Sequence, residues 1–373
     1  MIFSGRSEMA DTIFINGKFL NSPVTGVQRY ALELFRHMDV ILQEPVYQEL
    51  RLVCLAPRDT RTVPNWHHIE FRRVGFTLGN LWEQLDLPIY THGRLLFSPA
   101  NTGPFFYSNQ VITFHDAAVF AVPEAYSRFF RIKYSIIFKV LSQVARLVLT
   151  DSAFSQRELA HYLDVSPDRF TVIPLGGDHL KDTLSDTSIL HKNGLARNSY
   201  LLNVASQSLH KNFARVLQAI ELLESDVELA VAGRSDKQIF QKTEAQADHP
   251  NIHMLGYVND CELKALYENA LGFIFPSMYE GFGLPVLEAM NSGCPVLCSN
   301  AASIPEVGGQ AALYFNPQDV ENIAAVIKKF LVETSLRSDL IARGYEQAAA
   351  FPWEKTARAT LVSLVACLQK GSL

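Results

Sequence analysis

Apolar residues along this chain fall in short runs that alternate with longer amphipathic stretches from end to end. Short uninterrupted apolar runs bounded by turn residues read as buried strands, and apolar positions recurring every three or four residues read as helix faces. The runs predict strands at Thr12–Ile15, Arg51–Leu55, Leu95–Ser98, Val111–Phe114, Arg146–Thr150 and Phe170–Ile173. A second set follows at Tyr200–Val204, Val227–Ala232, Ile252–Leu255, Leu271–Phe275, Pro295–Cys298 and Ala312–Phe315. Between them, Tyr30, Leu34, Phe35 and Met38 share one helical face, and Ile323, Val326, Ile327 and Phe330 share another. Strands alternating with helices predict parallel sheets covered on both sides.

The two strand sets are separated by Pro174–Asn198, which holds Gly176-Gly177, a polar run and no clear period. That stretch reads as an interdomain connection. The expected fold is α/β: two facing, doubly wound, Rossmann-like parallel-sheet domains, residues 1–180 and 181–352, followed by a terminal segment, 353–373. Ligands of such sheets bind at the carboxyl ends of the strands, in the cleft between domains.

At 373 residues, with 48% apolar and 19% charged residues, the chain can bury two cores of ordinary size. A net charge of −5 argues against a general nucleic-acid binder. Five cysteines without a Cys-x-x-Cys fit a reducing compartment, and Cys294 and Cys298 read as small buried residues rather than a metal pair. The first residues lack an apolar core of signal-peptide length, and no uncharged run reaches membrane-span length. The expectation is a cytoplasmic protein.

The most informative chemistry lies in Glu280-Gly-Phe-Gly-Leu-Pro-Val-Leu-Glu288, two carboxylates bracketing a glycine turn. It follows a buried strand, and Pro285 suits a first helical turn. Backbone N–H groups at a helix N-terminus favour an anion, and glycine lets a ligand approach them. The plain alternative is a loop with two solvated glutamates, and the pairing around Gly281 and Gly283 weakens it. Lys211, after the Tyr200–Val204 run, suits a diphosphate as a mobile point charge, against the plain reading of a solvated helix-start lysine. Phe114-His115-Asp116 ends another apolar run, so His115 stands at the edge where an imidazole can meet a sugar hydroxyl. A histidine that merely ends a strand is the competing reading, and Asp116 suits either orienting His115 or binding a hydroxyl.

The segment Phe275–Met290, with Gly293-Cys-Pro-Val296 and Ile304-Pro-Glu-Val307, resembles the donor-site signature of the family 4 retaining glycosyltransferases, including their Glu-x7-Glu motif. The resemblance runs from about Thr12 to Trp353 and implies the GT-B fold, with the last helix crossing back onto the first domain. Leu361, Leu364, Val365 and Leu368 give that helix an apolar face. Carried over residue by residue, the resemblance makes His115, Glu280 and Lys211 the catalytic group. It assigns donor contacts to Gly26, Lys211, Arg234, Val258, Phe282, Gly283, Leu284 and Glu288, with Glu288 on the ribose. Acceptor contacts fall to Gly26, Asn101 and Asp116. The family adds an arginine just before the lysine; none stands between Val204 and Lys211, so His210 or Arg234 would have to serve.

With no Asp-x-Asp, neither a metal nor any other cofactor is expected, and the co-substrate is a nucleotide-sugar. Phe14-Ile-Asn-Gly17, Thr25-Gly-Val-Gln-Arg-Tyr30 and Phe97-Ser-Pro-Ala-Asn-Thr-Gly103 look most like bacterial polysaccharide mannosyltransferases. That makes GDP-mannose the first donor, dTDP-rhamnose or a UDP-hexose the next, and a growing, free or lipid-linked surface glycan the acceptor partner. A nucleotide-sugar epimerase or hydrolase, or a weak carbohydrate-binding protein, is the alternative; acceptor-dependent release of nucleoside diphosphate separates them. A dinucleotide dehydrogenase is disfavoured, because no Gly-x-Gly-x-x-Gly follows the first strand. Tyr126–Leu149 mixes Arg128, Arg131, Lys133 and Lys139 with Phe129, Phe130, Tyr134, Ile136, Ile137 and Phe138. It reads either as a core-packing helix with its charges outside, the preferred reading, or as a surface helix in peripheral contact with the inner membrane.

Overall fold

Strands buried on both faces carry unbroken apolar runs, and inner strands of this protein's parallel sheets, such as those at Thr12–Asn16, Gly272–Phe275 and Val296–Ser299, are buried along their whole length. The computed structural model describes residues 12–204, 208–223, 227–233 and 251–370. The chain divides into two compact units. The first takes the chain up to Phe120, Arg128–Leu175 and the chain from Trp353 onward; the second takes Ala121–Ser127 and Gly176–Pro352.

In the first unit the strands are β1 (Thr12–Asn16), β2 (Arg51–Pro57), β3 (Ile69–Val74), β4 (Leu96–Ser98), β5 (Gln110–Thr113), β6 (Leu147–Thr150) and β7 (Phe170–Val172). They form one parallel sheet in the order β3-β2-β1-β4-β5-β6-β7. β3 is the strand the apolar pattern misses. It pairs only with β2 at the edge and buries only Ile69 fully, so its Glu70, Arg72 and Arg73 leave no apolar run to find. Ile112, Phe114 and Val148 are covered by Ile137, Phe138 and Leu141 of helix Arg128–Val144 and by Leu159 and Leu163 of helix Ala153–Leu163. Each such side chain contributes roughly 1.5–3 kcal/mol by leaving water.

Helix Trp353–Lys370 belongs to this first unit, as the family resemblance implies. Its Trp353, Leu361 and Leu364 are buried, and Trp353 meets Tyr30 of helix Gly26–Ile41 at a ring distance of 6.3 Å. Thr356 Oγ1 donates to the Pro174 carbonyl at 2.8 Å, and Arg358 Nη1 to Glu44 at 2.9 Å.

Helix Arg128–Val144 departs from the core-packing expectation on one face. Its far side exposes not charges alone but Phe129, Ile132 and Ile136 as well.

In the second unit the strands are β8 (Tyr200–Val204), β9 (Glu228–Ala232), β10 (Ile252–Gly256), β11 (Gly272–Phe275), β12 (Val296–Ser299) and β13 (Ala312–Phe315), all parallel in the order β10-β9-β8-β11-β12-β13. Each sheet therefore reverses its strand order once, between β1 and β4 and between β8 and β11. Such reversals leave a crevice beyond the strand ends, because successive connections depart in opposite directions. Among the described residues no helix is long and apolar enough to cross a membrane.

Candidate active site

Lys211 and Glu280 follow the two strands that flank the reversal in the second sheet. Lys211 ends the short turn Leu209–Lys211 after β8, and Glu280 follows β11. Lys211 Nζ donates to Glu280 Oε1 at 2.7 Å, with both side chains largely buried. The turn is anchored from both sides. Met278 N donates to the His210 carbonyl at 2.8 Å. Asn212, at φ 60°, donates through Nδ2 to the carbonyls of Pro276 at 3.1 Å and Pro317 at 2.6 Å. Asparagine tolerates this left-handed backbone, and its amide fixes the turn.

Beyond Glu280 the chain passes Phe282, whose ring meets Phe351 edge-on at 6.0 Å, and enters helix Leu284–Asn291 through Gly283 at φ 111°. That backbone suits glycine. No described side chain caps the helix; Pro285 has no N–H and Val286 N donates to the Gly283 carbonyl at 3.0 Å, so what favours an anion here is chiefly the positive end of the helix dipole. Ser303 Oγ lies 2.9 Å from the Glu280 carbonyl and 2.8 Å from that of Phe282, and its one hydroxyl hydrogen is shared between them, which ties the two ends of the turn together.

Glu288, one helical turn inside, is buried. Tyr267 Oη donates to its Oε2 at 3.1 Å, and His179 Nε2 lies 3.2 Å from Oε1, an ion-pair distance without hydrogen-bond alignment. Burial and the Glu288 charge push the Tyr267 phenol well above its ordinary range, so it stays a donor. A carboxylate held this way keeps lone pairs for further hydrogen-bond donors and has little rotamer freedom left to lose. Val258 stands two residues past β10, half-buried beside exposed Tyr257, where Gly233 N donates to the Gly256 carbonyl at 2.8 Å. Arg234 lies outside the described residues.

Burial and the Lys211 ammonium hold the His210 imidazole below its ordinary value, against the pull of Glu280 and Glu124, which counts against it as a stand-in for the missing arginine. Its Nδ1 is buried without a hydrogen-bond partner among the described residues.

In the first unit, His115 is buried directly after β5 and both ring nitrogens are engaged. Nδ1 lies 2.7 Å from Asp151 Oδ2 and Nε2 2.9 Å from the Pro99 carbonyl. A carbonyl only accepts, so Nε2 carries hydrogen, and the Nδ1–Asp151 contact needs a second proton between the two groups. Burial opposes the charge, but the Asp151 carboxylate, by charge and hydrogen bond, outweighs it and raises the His115 imidazole above its ordinary value. Asp151, rather than Asp116, orients the ring; Asp116 Oδ1 accepts from Ala118 N at 2.8 Å. Asn101, at φ 61°, accepts the His115 backbone N–H at 2.9 Å, and Ser155 Oγ donates to the His115 carbonyl at 3.0 Å. Asn101 thus positions His115. Gly26 opens helix Gly26–Ile41, and a Cβ there would meet nothing within 4 Å.

Asp151, His179, Tyr267 and Ser303 are the site residues that pattern reading missed. Asp151 had a signal, a carboxylate closing a strand run in Thr150-Asp151-Ser152; His179 was hidden in the segment read as a linker, and Tyr267 and Ser303 carry none.

Among solved structures, sucrose-phosphate synthase from Thermosynechococcus elongatus matches with a TM-score of 0.74 at 18% identity, covering 97% of this chain and 100% of that one. Anabaena Alr3699/HepE in complex with UDP-glucose matches at 0.73 and 16% identity, covering 95% and 99%. The two Rossmann-like parallel-sheet units are those of the GT-B glycosyltransferase fold. The glycosyl transferases group 1 model matches residues 187–347. The O-antigen chain mannosyltransferase B of Escherichia coli is 33% identical over 371 residues, 91% of this chain and 95% of that protein. This chain belongs to the glycosyl transferases group 1 family.

Proposed function

We propose that this protein is a retaining mannosyltransferase that takes its sugar from GDP-mannose and extends a lipid-linked surface glycan. The observation that carries the reading is the Lys211–Glu280 pair near the head of a helix without a side-chain cap, in the segments that follow the two strands flanking the sheet reversal. An ammonium beside helix N–H groups suits a diphosphate, and a carboxylate beside it suits sugar hydroxyls. The choice of mannose is supported by the relative from Escherichia coli, whose name is that of a mannosyltransferase.

In the proposed step the bond from the sugar anomeric carbon to the diphosphate oxygen breaks, through an oxocarbenium-like transition state. The acceptor hydroxyl attacks from the leaving-group face, and its proton passes to a phosphate oxygen. Lys211 and the N–H groups around Phe282, Gly283 and Leu284 stabilise the charge that grows on the leaving diphosphate. Glu280 holds the sugar and Glu288 the ribose. The scheme uses no metal.

Thermal stabilisation by GDP, UDP, dTDP and NAD tests the reading, since a ligand that binds only the folded state raises the melting temperature. A shift with GDP and release of GDP from GDP-mannose only when a mannose-ended acceptor is present are expected. A shift with UDP alone would move the donor to a UDP-hexose, the second reading, which the UDP-glucose complex of the Anabaena neighbour favours. A shift with no diphosphate would overturn both.

A further inference from the structure

The first sheet reverses its strand order between β1 and β4, and the polar side chains gathered past those strands have no part in the transfer step above. They centre on Glu83. Asn16, the last residue of β1, donates through Nδ2 to Glu83 Oε1 at 2.8 Å and to Ser98 Oγ, at the end of β4, at 3.3 Å. Thr102 Oγ1 donates to the same Oε1 at 2.7 Å, and Lys18 Nζ to Oε2 at 2.8 Å. Asn16 Oδ1 also accepts the Lys18 N–H at 3.3 Å, which caps the short helical turn Gly17–Asn21. Phe14–Gly17 and Phe97–Gly103, two segments singled out in the sequence, thus meet around a carboxylate that pattern reading missed.

The fold holds that carboxylate firmly. Between β3 and β4 the chain makes three consecutive helical pieces, Gly79–Leu81, a π turn Trp82–Asp86, and Leu87–Thr91. Fully buried Trp82 donates through Nε1 to the Val74 carbonyl at 2.9 Å, and Asp86 accepts the N–H groups of Phe76 at 3.0 Å and Thr77 at 2.8 Å. The π turn is therefore tied at both ends around Glu83, and such turns occur frequently at functional sites. Stability alone does not account for the ion pair. The side chains of Lys18 and Glu83 are 22% and 3% exposed, and desolvation at that depth offsets most of their attraction.

Open parallel sheets take ligands beyond the carboxyl ends of the strands, where the order reverses. A lysine past the first flanking strand, paired with a carboxylate, is also what the second sheet sets at its reversal. In the first sheet Lys18 and Asn80 are the parts of the cluster that reach solvent. Lys18 Nζ donates to Asn80 Oδ1 at 2.8 Å as well as to Glu83. Among the described residues this leaves the ammonium one hydrogen and exposed Asn80 its amide hydrogens. Glu83 cancels the charge of Lys18, so the cluster offers directed donors without a net charge. That suits the hydroxyl oxygens of a neutral sugar rather than a phosphate.

We infer, resting on the transferase reading above, that Lys18 and Asn80 hold the terminal sugar of the acceptor by its ring hydroxyls, with Glu83 as their positioning residue.

Saturation-transfer NMR with methyl mannobioside reads saccharide binding without turnover, and nucleoside diphosphate release from GDP-mannose reads the KM for the same saccharide. The wild type is expected to bind it, with or without GDP. Asn80→Ala, at an exposed position, should fold as the wild type does and raise the saccharide Kd and KM about two- to tenfold, and Lys18→Met should raise both by at least about tenfold. In both variants kcat and the KM for the nucleotide-sugar should stay within about twofold of wild type, the pattern of lost uniform binding. Any nucleotide-induced rise in melting temperature should persist. The double variant Lys18→Met/Glu83→Gln removes the stranded carboxylate charge. Its melting temperature should return toward wild type while its acceptor KM stays high, which a merely structural pair would not show. A wild type that binds no saccharide, variants that bind it at wild-type strength, or an acceptor KM that recovers together with stability would overturn the assignment. Saccharide binding that the variants weaken, without nucleotide release from any nucleotide-sugar, would uphold the saccharide site and overturn the transferase reading.

Discussion

Replacing Lys211 by Met keeps the aliphatic stem and deletes the ammonium. At 2.7 Å and an effective dielectric of about 20, its attraction for Glu280 is about 6 kcal/mol gross. Desolvation of two largely buried groups cancels much of this, and losing a charge-assisted hydrogen bond leaves a net cost of about 1.5–3 kcal/mol. For a unit of this size that lowers the melting temperature by roughly 3–12 °C. The double variant K211M/E280Q removes the stranded carboxylate charge and should recover at least half of that loss. Transfer should behave differently. Taking one preorganised donor from a developing oxyanion costs about 2.7–4 kcal/mol, a fall of roughly 10²–10³ in kcat, and relieving Glu280 restores none of it. Thermal melts and acceptor-dependent nucleoside diphosphate release on wild type, K211M and K211M/E280Q read both quantities. Transfer by K211M within threefold of wild type would refute the assignment, as would a double variant that regains activity together with stability.

Two further predictions concern folding and its coupling to the site. The raised imidazole of His115 contributes stability that is fully present below its unfolded value of about 6.5 and is lost as pH rises through the folded value, so thermal melts of the wild type should weaken on that side. D151N should cost about 1.5–3 kcal/mol at low pH and flatten the profile; a wild type that stabilises with rising pH contradicts the pairing. The glycines separate packing from backbone. In Gly177→Ala the new Cβ would sit 2.3 Å from Leu287 Cβ, an overpacking cost of about 1–3 kcal/mol visible in the melt. In Gly283→Ala it would meet nothing nearer than 4.0 Å, so strain comes from φ 111° alone, and transfer should suffer more than stability. Equal losses of transfer in the two variants would show that Gly283 has no special place at the site.

Legibility from sequence tracked burial. β8 coincides with its apolar run because it lies inside a sheet covered by helices, and β13, though an edge strand with only Phe315 fully buried, keeps an apolar run whose Leu313 and Phe315 pack on the core. β3 was silent because an edge strand need not be apolar. Glu280, Gly283 and Lys211 were readable because a charge or glycine at a strand end breaks an apolar pattern. Tyr267 was not, since a tyrosine on a helix face looks like core until its hydroxyl is seen on Glu288. The same limit applies to helix Arg128–Val144: periodicity shows that one face is apolar, and here two faces are, only one of them facing protein.

Under the proposed reading, the charges at the Leu209–Asn212 turn have to serve a diphosphate. Arg215 is tied to the turn through Asn212 Oδ1 at 2.6 Å, while the Lys211 ammonium is bound to Glu280. A diphosphate at the helix N-terminus competes for that ammonium. Drawing Lys211 away strands Glu280, whose side chain is only 14% exposed, unless the ligand also offers hydrogen-bond donors. Sugar hydroxyls are such donors, and a bare nucleoside diphosphate has none at that position. Under the proposed reading, the pair links the two halves of the donor: the phosphate takes the lysine and the sugar takes the glutamate. Once the sugar has left on the acceptor, the Lys211–Glu280 contact is again the favourable partner for both side chains, which loosens the grip on the spent nucleotide.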